Sequence, residues 1–210
     1  QQNLVNKMAE IKIAADSGGG TTSLKGPAST TSNAALTYTL PDATTGGVVR
    51  TTTTPGAIIA VKGVVKTDQW SYNTIDTWVD ITGLSITHTL ANSSNKLLLQ
   101  YSVNVGARAA GYTGMLRLMN DSTAILIGDE DGSVIRSSNQ FIGTGYAGGQ
   151  LTYSQTHLYA PGDTSSHAYH LEARTGYSEY IYVNRNHTWN DTWNEYGSTV
   201  STLTLMEVAA

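Results

Sequence analysis

From residue 56 onward, apolar and polar side chains alternate with a period of two, the pattern of strands buried on one face. The clearest run sets Leu97, Leu99, Tyr101, Val103 and Val105 against Leu98, Gln100, Ser102, Asn104 and Gly106. Leu84, Ile86 and Leu90 share one parity, opposite Ser85, Thr87 and Thr89, and Ile59, Val61 and Val65 share another. Further strands are predicted at 115–119, 124–127, 150–158, 168–173, 181–183 and 200–208. Turn residues divide them: Asn92-Ser93-Ser94-Asn95, Asn120-Asp121, Asp131-Gly132 and Pro161-Gly162-Asp163. No stretch carries the period of an amphipathic helix. Eight or more short strands with turns between them predict an all-β fold, an antiparallel β-sandwich of jelly-roll-like type, over residues 56–210. A segment of that length can bury a core of its own.

Residues 1–55 read differently. Glu10-Ile11-Lys12-Ile13-Ala14 alternates like a brief strand before Gly18-Gly19-Gly20, and Leu36, Tyr38 and Leu40 alternate before Pro41. Residues 21–54 hold twelve Thr and only three charged side chains, Lys25, Asp42 and Arg50. So little apolar area cannot offset the entropy of ordering. The expectation is an extended N-terminal arm ordered by neighbouring chains, with a free linker as the alternative.

Composition narrows the partners. Charged residues make up 13 % of the 210 and the formal net charge is −4. Lys and Arg are scattered, so no basic face for nucleic acid is predicted. Cysteine is absent, which removes disulfides and thiolate metal sites. No 18-residue apolar run is present, so no membrane-inserting helix is predicted, and the N-terminus lacks the apolar core of a signal peptide. The chain opens on Gln1 rather than Met, which fits a processed product, a fragment or a numbering that omits residues.

The richest candidate surface lies near the end. Thr188-Trp189-Asn190-Asp191 is followed at once by Thr192-Trp193-Asn194-Glu195, in a stretch that also holds Tyr180 and Tyr182 and few aliphatic residues. Rings that stack on sugar, flanked by Asn190, Asp191, Asn194 and Glu195 to bond hydroxyls, make a glycan-binding face. The same rings would equally pack as a core or a subunit contact, and the sequence leaves both readings open. Gly128-Asp129-Glu130-Asp131-Gly132 offers hard oxygen ligands for calcium but departs from EF-hand spacing, and reads as an exposed hairpin turn. His167 and His170, three apart on a strand, face opposite ways and do not chelate together. His88, His157 and His187 read as surface or packed histidines. Glu172, Glu179, Asp191 and Glu195 could supply a hydrolytic carboxylate pair only by chance, and no nucleophile elbow, zinc-binding helix or phosphate loop is present. No catalytic residue, metal or cofactor is predicted, and an enzyme is not expected.

Taken in order, the motifs resemble those of phage tail-fibre-like appendage proteins. The run from Ile11-Lys12-Ile13 through Ser17-Gly18-Gly19-Gly20, Leu24-Lys25-Gly26-Pro27-Ala28 and Thr39-Leu40-Pro41 resembles the shaft-like leader of such proteins. The larger part is similar to a β-rich C-terminal module of fibre proteins from marine and cyanobacterial phages. Val65-Lys66-Thr67-Asp68, Trp78 to Thr87, Ser94 to Leu99, Leu116 to Thr123, Ile127-Gly128-Asp129, Tyr182-Val183-Asn184-Arg185 and Thr202 to Val208 carry that similarity. The resemblance spans nearly the whole chain in order and spacing, and the TWND/TWNE repeat is not part of it. It implies a virion structural protein at the particle surface, trimerisation, attachment to other virion proteins through residues 1–55, and contact with host-surface polysaccharide. A capsid decoration or head-fibre protein is the alternative, since it too uses a mounting arm and an outward β domain.

Overall fold

The computed structural model describes residues 10–14, 21–25, 55–107, 112–143, 149–176, 180–187 and 197–210. The chain divides into two compact units, Gln1–Val49 and Arg50–Ala210. In the first, β1 (Glu10–Ala14) pairs antiparallel with β2 (Thr21–Lys25), placing Ile11 opposite Leu24 and Ile13 opposite Thr22. The strand predicted at Glu10–Ala14 therefore finds a partner within its own unit. The strand predicted at Leu36–Leu40 lies outside the described residues.

The second unit runs β3 (Ile58–Lys66), β4 (Trp70–Tyr72), β5 (Val79–Thr89), β6 (Lys96–Ala107), β7 (Thr113–Asn120), β8 (Thr123–Ile125), β9 (Asn139–Ile142), β10 (Gln150–Tyr159), β11 (Ser166–Thr175), β12 (Ile181–Val183) and β13 (Ser201–Val208). Every ladder between these strands is antiparallel, and no helix occurs among the described residues.

Several strands are halves of one lane. Along one edge of β6, β12 pairs with Val105–Ala107 and β13 with Lys96–Ser102, while β10 takes the other edge. On the far side, β3 flanks β13 and β4 flanks β12. Likewise β8 and β9 share one edge of β7, with β11 and then β5 on the other. Counting lanes in chain order, the front sheet reads 6-3-8-1 and the back sheet 2-7-4-5. That is jelly-roll connectivity, two Greek keys folded into two facing sheets.

The alternation seen in the sequence decides which residues lie between the sheets. Leu97, Leu99, Tyr101, Val103 and Val105 on β6, Ile181 and Val183 on β12, and Leu203 and Leu205 on β13 meet Leu84, Ile86, Leu116, Leu118, Tyr169 and Leu171 of the back sheet in one buried cluster. Each fully buried aliphatic side chain stabilises the fold by about 1.5–3 kcal/mol. Tyr101 ties the sheets together, its hydroxyl donating to Asn139 Oδ1 at 2.5 Å. Gly114 is small by necessity, since a Cβ there would lie 2.1 Å from the Phe141 ring.

Two lanes are interrupted by long excursions, 126–138 and 184–200, and each leaves its strand at a residue in the left-handed region: Leu126 (φ 53°) and Asn184 (φ 63°). Gly128–Gly132 belongs to the first of these. Its acidic residues are exposed, as expected, but the segment joins β8 to β9 along one edge of β7 instead of joining hairpin partners.

Candidate functional site

The second excursion carries the TWND/TWNE repeat, and its root is built with care. Asn184 continues the β12 lane by one residue, its N–H donating to Asn104 O at 3.0 Å, before the chain departs. Its side chain is fully buried and donates through Nδ2 to Lys66 O at 2.8 Å and Asp68 O at 3.0 Å. Its Oδ1 accepts from Ser201 Oγ at 2.6 Å, where the chain rejoins the lane. Ser201 Oγ in turn accepts from Asn104 N–H at 3.1 Å, and Asn104 Nδ2 donates to Val200 O at 2.5 Å. Gln150 on β10 holds the returning limb, donating to Gly197 O at 3.0 Å and accepting from Thr199 Oγ1 at 2.8 Å. Asn is suited to this position because its short amide tolerates a left-handed backbone and supplies both donor and acceptor.

Against this root sits an aromatic cluster on the outward side of the front sheet. Ile181 and Val183 point into the core, so Tyr180 and Tyr182 point out. Their rings stack at 5.7 Å between centroids and 18° between planes. Arg185 lies over the Tyr182 ring at 4.8 Å, and the Tyr182 hydroxyl meets His187 Nδ1 at 2.9 Å. Residues 185 and 186 run so close over β6 that a Cβ on Gly106 would fall 2.5 Å from Arg185 O. The result separates two residues that the sequence treated alike. Tyr182 is covered and acts as a support, whereas Tyr180 is 44 % exposed and presents a ring to solvent. Trp189, Asn190, Asp191, Trp193, Asn194 and Glu195, the rest of the predicted glycan face, lie outside the described residues. Asn184, Arg185, His187 and Ser201 were missed as site residues, because nothing in a period-two pattern marks the point where a lane breaks.

Three polar clusters lie elsewhere. On the outward side of the back sheet, Arg117 Nε pairs with Glu172 at 2.5 Å and stacks over Trp78 at 4.3 Å, while His170 Nε2 sits 3.2 Å from Asp80 and 4.0 Å from Glu172. The ligand atoms of Asp80, His170 and Glu172 fall within 4.8 Å of one another, a donor set that suits a divalent cation by type. The Arg117 guanidinium already occupies Glu172 and adds positive charge beside the trio, so we assign these residues to an ion-pair ladder.

The second cluster is buried between the sheets. Glu207 is 1 % exposed and accepts from His88 Nε2 at 2.9 Å, Asn95 Nδ2 at 2.6 Å and Ala91 N–H at 2.8 Å. Burial pushes its carboxyl upward, but the bonds from Asn95, Ala91 and His88 outweigh it and hold the group below its ordinary 4.5. A depression of about 330 Å³ lined by Ile59, Asn92, Ser94 and Ala210 opens over Asn95, whose amide is already bonded to Glu207 and Ala210. In the third cluster His167 bridges Asp121 at 2.6 Å and Asp163 at 2.9 Å. His167 and His170 thus serve separate clusters on opposite sides of the back sheet.

No protein-family model matches the chain, and comparison with curated proteins finds no relative.

Proposed function

We propose that this chain is a structural virion protein of a bacteriophage, a trimeric fibre or appendage protein mounted through residues 1–55, whose head projects outward and contacts host-surface glycan. The ordered run of leader and module motifs along the chain supports the phage assignment. The observation that carries the glycan part is Tyr180, an exposed ring on a braced platform in the same stretch of sequence as Trp189 and Trp193. Jelly rolls serve in viral shells and in lectins alike, so the site and not the fold must decide.

The test is binding of labelled full-length protein to an array of bacterial surface polysaccharides and to susceptible cells. Binding should saturate, and Tyr180→Ala should weaken it by about 10-fold, within the 1–3 kcal/mol range of one stacked ring, without lowering the melting temperature. Non-saturable binding, or unchanged affinity in both Tyr180→Ala and the Trp189→Ala/Trp193→Ala pair, would sink the glycan reading. A separate leader unit, Gln1–Val49, also suits a decoration protein held on the shell by its arm. Deleting residues 1–54 should then abolish capsid attachment and leave the head folded.

A further inference from the structure

The odd-numbered positions of β6 and β13 fill the core, so their alternate positions point away from it. Four outward residues align in one row across every lane of the front sheet: Leu158 stands opposite Leu98, Leu98 opposite Met206, and Met206 opposite Val61. Leu158 and Val61 are 54 % and 61 % exposed, and the two between them are half-buried. The next two rows are made of Thr, Ser, Gln and Gly, ending at Val65, which is 63 % exposed. None of these three rows contains a charged side chain.

β3 borders this face, and its outer edge pairs with no strand among the described residues. Proteins commonly guard such an edge with lysine, proline or a bulge. β3 has no proline, its one bulge lies at the start of the strand, at Ile59 and outside the three rows, and both of its lysines are engaged elsewhere. Lys62 Nζ donates to Thr87 O of the back sheet at 2.8 Å, and Lys66, its side chain 1 % exposed, donates to Asp68 at 2.6 Å. Ile58, Val61 and Val65 are left exposed along the edge.

We propose that the outward rows of the front sheet, with the β3 edge, are the surface buried against further copies of this chain. This rests on the self-assembly in the functional reading above and names the surface that performs it. Charge selects the occupant. Copies that each carry a net charge of −4 meet without opposing like charges only where the face is neutral, whereas an ionic partner would find no group there to pair with. The apolar row supplies area for burial and the Thr, Ser and Gln rows supply matched donors and acceptors. A closed cyclic arrangement also hides every β3 edge at once.

The experiment measures the mass of the full chain by sedimentation at micromolar concentration, with Val61→Glu/Val65→Glu and Leu158→Glu as disrupting variants and Thr87→Glu on the back sheet as control. These side chains are already exposed, so the variants should keep the circular dichroism and melting curve of a folded head. The wild type should be oligomeric, the front-face variants should raise the dissociation constant by about 100-fold or more through buried unpaired charge, and the control should change nothing. The chain has no cysteine, so Thr204→Cys offers a clean label: its reaction with maleimide should be slow in the oligomer and fast once it dissociates. A monomeric wild type would overturn both this inference and the trimer. An oligomer that survives the front-face charges, with Thr204→Cys labelling quickly, would overturn the inference and leave self-assembly standing. Protection of that cysteine only on adding glycan would make the face a ligand site instead. If a charged variant fails to fold, the labelling rate in Thr204→Cys decides alone.

Discussion

The two outward faces of the sandwich handle charge in opposite ways. On the back sheet, Arg117 is paired with Glu172 and Arg174 with Asp76 at 2.5 Å, so these charges are neutralised where they stand, and His170 lies 3.2 Å from Asp80. On the front sheet, three rows hold none at all and end at the outer edge of β3, which pairs with no strand among the described residues. Both faces have the same strand geometry and come from the same stretch of chain. The difference teaches that the back face pairs its charges within one copy, whereas the front face keeps apolar rows and, among the described residues, a strand edge without a partner strand, the surface we propose for assembly. In a chain with only 13 % charged residues, where the few charges go is informative.

The sharpest break in this comparison comes from Glu207, the one carboxylate sealed between the sheets among the described residues. Glu207→Ala should cost roughly 3–5 kcal/mol, because it strands His88 and Asn95 in the core without their acceptor, and urea unfolding measures the loss directly. The loss should be equal in the monomeric front-face variant, since the pair lies inside one copy. A cost below about 1 kcal/mol would mean that charge in this fold needs no partner, and the contrast between the faces would lose its basis. The pH sign follows from the lowered carboxyl: its contribution is present above the ordinary 4.5 and is lost as pH falls through the folded value.

Much of this was legible in the sequence, and the failures have physical causes. The strand predicted at 181–183 is β12 as predicted, and 150–158 is β10 less one residue, because burial on one face writes the period directly. Ile81 and Leu84 break phase yet both are buried. Gly83, at φ 90°, bulges β5 so that parity reverses, and the strand predicted from Leu84 reaches back to Val79. Lane sharing was not legible, since periodicity says which face is buried and nothing about which partner lies alongside. The His88–Glu207 pair was legible but passed over: both sit in phase with core residues, at 84-86-88-90 and 203-205-207, where an ionisable side chain calls for a partner. Of the predicted glycan face, spacing alone could not tell Tyr180 from Tyr182, because both point outward and only the returning Arg185 and His187 cover one of them.

On the back face the expected effect is smaller. Arg117→Ala removes the pairing with Glu172 and the stacking on Trp78, which are only partly shielded from water, and should cost about 1–2 kcal/mol. Sedimentation should show the oligomer intact, which sharpens the comparison: the same assay that responds to one glutamate pair on β3 should ignore the loss of an arginine on β7. Dissociation of Arg117→Ala would mean that the back face also takes part in assembly.

The smallest effect is a pH dependence at the rim of the back sheet. Hydrogen bonds to Asp121 and then Asp163 raise His167 above its ordinary 6.5, and the two carboxyls, bonded to the N–H groups of Ala168 and Ser165 and to His167, are held below their ordinary 3.8. A group raised on folding contributes fully below its unfolded value and loses that contribution as pH rises through its folded value. The cluster is therefore most stabilising between the carboxylate and imidazole ranges and weakens toward alkaline pH, a small change because the carboxylates are exposed and screened. The melting temperature of wild type should fall slightly between about pH 6 and about pH 8, relative to His167→Gln, and added salt should shrink the difference. A parallel pH profile in the two proteins would show that the His167 cluster adds nothing to stability. The contrast with the front face would then rest on the core pair and the Arg117 ladder.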